Sequence, residues 1–143
     1  MRFSFPFVSL FAVCFLVSTP LIAEVKTCTY QKQILRSHYS DTDRTCTGVF
    51  GESFKVDTTR HLLNVQWPKG VSGWFAPDKV TKNNRFTSYI MYLDLQITPA
   101  DSGKPAKTRR CTITYRLYQD GKRAEAHQHV QNFEPRAARY NCN

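Results

Sequence analysis

The chain has 143 residues, five cysteines and a formal net charge of +9 at pH 7. That length suits one domain with its own core, and no second long apolar stretch follows the one in the first twenty or so residues. The positive excess favours anionic partners, nucleic acid or a lipid or wall surface, without choosing among them.

Met1-Arg2 supplies a positive start, Phe3 to Val17 is mostly apolar, and Ser18-Thr19-Pro20 breaks the run before a small residue at Ala23. This is the layout of a secretory signal peptide, too short and too soon interrupted for a membrane span. The expected organisation is a leader over 1–23 and a single domain over 24–143, secreted and without a stable membrane anchor. Cys14 leaves with the leader, and Cys28, Cys46, Cys111 and Cys142 remain as an even set in a compartment where disulfides persist. Two bridges are expected, with three pairings open. The wide cysteine spacing argues against zinc, and neither a metal nor a cofactor is expected.

Tyr30 to Tyr39 reads as either a strand or a helix. Gly51-Glu52-Ser53 starts a short helix through Phe54, Val56, Leu62 and Leu63, with Ser53 as cap and Glu52 near the positive helix end. The β-branched Val56, Thr58 and Thr59 count against that helix. Trp67-Pro68 to Pro77 reads as turns around Trp74 and Phe75. Ser88 to Ile97 alternates as a strand, with Tyr89, Met91, Leu93, Leu95 and Ile97 on one face and Asp94 the only charge. A loop rich in proline and glycine follows over 98–108.

The clearest hairpin joins Cys111–Tyr118 to Lys122–Val130 through Asp120-Gly121, a pair suited to a tight primed turn. That tip sets Arg116 opposite Glu125, Thr114 opposite His127 and Thr112 opposite His129. One face is then polar, while Ile113, Tyr115 and Leu117 face Ala124 and Ala126 on the other. Together the elements predict an α+β domain, one short helix packed on a twisted antiparallel sheet and stabilised by disulfides.

Asp94, Arg110, Arg116, His127 and His129 fall on one sheet face. A carboxylate, a guanidinium and an imidazole suit phosphodiester cleavage, which needs a base for the ribose 2′-hydroxyl, a cation for the phosphorane and an acid for the leaving oxygen. Arg116 beside Glu125 also reads simply as a cross-strand ion pair. Lys104, Lys107, Arg109 and Arg110 cluster where the loop meets the sheet. With Tyr92 and other tyrosines nearby they are candidates for holding RNA phosphates while rings stack on bases. Solvated lysines and core tyrosines are the plainer reading of the same residues.

The order Cys46-Thr47-Gly48, short helix, aromatic-Pro segment, Tyr92-Leu93-Asp94-Leu95 strand, Arg110-headed strand, turn, His-bearing strand and Cys142 resembles small fungal guanyl-type ribonucleases and ribotoxins. It is closer to the ribonuclease-like secreted effectors of powdery mildews, the RALPH effectors. The resemblance spans Thr45 to Cys142 and implies a microbial ribonuclease-like fold, with Asp94, Arg110 and His127, or else His129, in the catalytic places. It also implies bridges Cys46–Cys142 and, by exclusion, Cys28–Cys111. Ala76-Pro77-Asp78 stands where the enzymes have Tyr-Pro-His, so the implied site is damaged.

The resulting expectation is a monomeric secreted virulence effector that binds host RNA or a host protein without turnover. Entry into host cells and recognition by a host immune receptor are left open. An active secreted ribonuclease or ribotoxin is the first alternative, and a basic extracellular protein that binds membranes or walls is the second.

Overall fold

The computed structural model describes residues 23–35, 50–97, 103, 107–131 and 135–143. They form nine strands: β1 (Val25–Leu35), β2 (Ser53–Asp57), β3 (Leu62–Trp67), β4 (Gly70–Phe75), β5 (Lys79–Lys82), β6 (Phe86–Ile97), β7 (Lys107–Tyr118), β8 (Arg123–Val130) and β9 (Arg136–Cys142). All pairings are antiparallel, in the order β4-β3-β2-β1-β9-β8-β7-β6-β5. The described residues contain no helix. The expected α+β architecture is therefore corrected to all-β, and the microbial ribonuclease-like fold is set aside with it.

The predicted helix over 53–63 fails because its apolar residues repeat every second position. Phe54 and Val56 are buried around an exposed Lys55, and Leu63 and Val65 are buried around Asn64. That period fits a half-buried strand. Asp57 closes the turn between them: its Oδ1 accepts from the Thr59 and Arg60 amides at 3.0 and 2.8 Å, and its Oδ2 accepts from Arg60 Nε at 2.6 Å. The expected turns over Trp67–Pro77 are likewise mostly strand, β3 and β4 meeting through Trp67–Gly70. The segment left open at Tyr30 is strand as far as Leu35.

The β7–β8 hairpin has the expected register, including Arg116↔Glu125, Thr114↔His127 and Thr112↔His129. Its tip is not a primed turn, since Gly121 has a positive φ and Asp120 does not. Asp120 instead accepts the Lys122 and Arg123 amides on Oδ1.

The sheet is strongly curled. β2 and β7 stand four places apart, which in a flat sheet means about 19 Å, yet Phe54 and Tyr115 have ring centroids 4.6 Å apart. Tyr140 of β9 completes this aromatic core, 5.0 Å from Phe54 and donating from its hydroxyl to the Gly51 carbonyl at 2.7 Å. The two edge strands are consecutive in the chain. The pairings give β4 and β5 the same direction, so 70–82 acts as one bent strand that pairs first with β3 and then with β6. Pro77 lies at the bend, where no ladder amide is required.

Cys28 and Cys142 are opposite one another on adjacent strands β1 and β9 and form a disulfide. This replaces both implied pairings, Cys46–Cys142 and Cys28–Cys111, because Cys28 already faces Cys142 in register. Cys111 is itself disulfide-bonded. Cys46 and Lys104 lie outside the described residues, as does the leader through Ile22. Among the described residues no helix is long and apolar enough to cross a membrane.

Candidate functional site

Alternation along β6, β7 and β8 sends Tyr89, Ile113, Tyr115, Ala124 and Ala126 into the core. It leaves Asp94, Tyr92, Arg110, Thr112, Arg116, Glu125, His127 and His129 on the outer face. The polar face expected from the hairpin register is thus present. Its residues divide into two groups along the strands.

At one end, Asp94 lies opposite Arg110, and Arg110 Nε donates to Asp94 Oδ1 at 3.2 Å. Both side chains are more than half exposed, so this ion pair is weak and easily exchanged. The same guanidinium lies over the exposed Tyr92 ring, 5.6 Å from its centroid. Thr108, Thr112, His129 and Gln131 complete a shallow depression of about 570 Å³ around the pair.

At the other end, Arg116 stacks over Phe86 at 5.0 Å and Arg123 over Tyr118 at 4.8 Å. Glu125 is mostly buried and serves as the hub: its Oε2 is 3.0 Å from His127 Nε2, and its Oε1 is 3.8 Å from Arg139 Nη2. Arg116 Nη1 is also 3.3 Å from His127 Nε2. A single ring nitrogen cannot accept from the guanidinium and donate to the carboxylate at once, so whether Nε2 carries a proton, which the tautomer decides in the neutral ring, selects its partner. Burial is the largest influence on that ring and pulls its pKa below the ordinary histidine value, with the Glu125 hydrogen bond opposing.

The three catalytic candidates are not brought together. Gln131 is the β8-side neighbour of Arg110, its amide donating to the Arg110 carbonyl at 3.0 Å. His127 is four residues back, about 13 Å along the strand. His129, the less favoured of the two histidines, is the one beside Asp94 and Arg110. Asp78, placed by the resemblance where a histidine belongs, accepts the Tyr92 amide at 2.7 Å. That amide lies beyond the reach of β5, whose pairing with β6 ends at Ile90.

The predicted basic cluster is divided as well. Arg110 is on the outer face, whereas Arg109 points to the other side and donates to the Gln131 carbonyl at 3.1 Å. Lys107 pairs by its backbone with Ile97 at the head of β7. Sequence reasoning missed Phe86 and Arg123 as surface partners. The available signal was the strand register, which places Phe86 opposite Tyr118.

No family model, curated protein or solved structure matches this chain.

Proposed function

We propose that the chain is a secreted, disulfide-stabilised effector that acts by binding, with single-stranded host RNA as its ligand on the outer face of β6, β7 and β8. The observation that carries this reading is the series of arginine–aromatic pairs on that face: Arg110 with Tyr92, Arg116 with Phe86 and Arg123 with Tyr118. From Tyr92 to Phe86 the series runs about 20 Å along β6, enough for a few nucleotides. Guanidinium groups hold phosphates and stack, and an exposed ring such as Tyr92 accepts any base, which gives sequence-tolerant binding.

Binding is favoured over turnover because the carboxylate of Asp94 is tied to Arg110 while His127 is tied to Glu125 and Arg116. The implied set of Asp94, Arg110 and His127 does not converge on one phosphodiester; only His129 stands beside the Asp94–Arg110 pair. The ribonuclease resemblance lends nothing here, since the helix it requires is two strands.

Incubating the oxidised protein with structured and single-stranded RNA tests the reading. Retention of intact single-stranded RNA in a complex is the expected result. Cleavage abolished by His129→Ala would establish the ribonuclease alternative, and failure to retain RNA at low salt would move the case to a host protein or an anionic surface.

A further inference from the structure

The half-barrel has an end at which the β2–β3 turn, the β5–β6 turn, the β7–β8 tip and the start of β1 meet. There they enclose a polar recess of about 480 Å³, lined among others by Lys26, His61, Lys82, Tyr89 and Tyr118. It shares Tyr118 with the arginine–aromatic series but otherwise plays no part in the RNA reading. We propose that this recess binds a small organic anion, a carboxylate or a phosphate monoester, through Lys26, Lys82, His61 and the Tyr89 hydroxyl.

Three observations support it. Tyr89 is 1% exposed overall and borders the recess, the one tyrosine of the inner face to do so. His61 has φ of 57°, the left-handed region that histidine adopts more often than most residues but still seldom. Its ring stands 6.0 Å from that of Tyr89. Strain of this kind is held where the surrounding structure requires the side chain in one place, and ligand clamps are such places.

The third observation is charge. Lys26 and Lys82 both line the recess. Lys26 Nζ is 3.0 Å from the carboxylate of Glu24, which is largely exposed, so an incoming anion competes with a solvated partner rather than a buried one. Asp120, the other acid in the lining, is already committed to Arg123 Nε at 2.9 Å and to two backbone amides. The open end of a β-barrel is a common place for a small-molecule site, and the donors here suit an anionic oxygen acceptor. Burial, with the negative charge of Asp57 adding to it, pushes the Tyr89 phenol up to about 12. The hydroxyl is therefore a donor at any physiological pH.

The test is an amide chemical-shift titration of the oxidised protein with inorganic phosphate and, separately, with citrate, each against sodium chloride at matched ionic strength. Saturable shifts at Thr58, His61, Thr87 and Gln119 are expected with one or both anions and not with chloride. Saturation by phosphate alone identifies a phosphate ligand, and by citrate alone a carboxylate. Lys82→Gln should weaken binding at least tenfold, Tyr89→Phe should weaken it severalfold without disturbing the fold, and Glu24→Gln should tighten it. Shifts that rise linearly, that chloride reproduces, or that persist unchanged in Lys82→Gln would overturn the proposal.

Discussion

Two residues on the outer face respond in opposite ways to the same idea. Arg110 is shared between Tyr92 and Asp94, so the carboxylate competes with any phosphate for the guanidinium. Asp94→Asn should therefore tighten RNA binding severalfold, measured by fluorescence anisotropy, while Tyr92→Ala should weaken it by about 1–3 kcal/mol if a base stacks there. His127 makes a different prediction. Because its pKa is lowered in the fold, the unfolded chain binds the proton more readily. Stability present above the ordinary histidine pKa should be lost as pH falls below it, until the folded value is passed. Chemical denaturation of wild type and His127→Gln across pH 5–8 checks this, and the slope in that window should shrink in the variant. A His127 resonance titrating at or above the ordinary value would contradict it. Asp94 opposite Arg110 could be foreseen once the two strands were recognised. That Arg109 faces the other way could have been foreseen too, since neighbouring strand residues alternate.

At the scale of elements, the β7–β8 hairpin was legible because alternation and an Asp-Gly tip agree, and a register follows from those two facts alone. The β2–β3 hairpin was misread because its connection, Thr58 to His61, lacks glycine, asparagine and proline, and the turn is held by Asp57 reaching forward to two amides. Short apolar runs on either side of such a turn look helical when the break between them is missed. The pairing of β1 with β9 has no local signal, since it joins the two ends of the domain. Its disulfide spans a sequence separation of 114 residues. Replacing Cys28 and Cys142 together by serine should cost about 2–4 kcal/mol in guanidinium unfolding, with the far-UV spectrum retained below the transition. Tyr140→Phe removes the side-chain tie from β9 to the Gly51 carbonyl and should cost about 1–3 kcal/mol. A change under a few tenths in either variant would remove that tie from the explanation of stability.

For the molecule as a whole, curvature is what composition and periodicity could not reveal. It depends on Phe54, Tyr115 and Tyr140 meeting across the interior, contacts between strands that are distant in both sequence and sheet order. Curling turns one face of every strand inward and presents the other as a continuous convex surface, which is how Tyr92, Arg110, Phe86, Arg116 and Tyr118 come to share one face. The central claim is that this face binds single-stranded RNA. The most direct measurement is the anisotropy of a labelled single-stranded oligoribonucleotide titrated with wild type and with Tyr92→Ala/Arg110→Ala at several salt concentrations. The account predicts wild-type affinity that falls linearly in log–log terms with salt, by about 0.7 for each phosphate neutralised, and at least tenfold weaker binding by the variant with an unchanged circular dichroism spectrum. Equal binding by the two proteins, or affinity indifferent to salt, would contradict it.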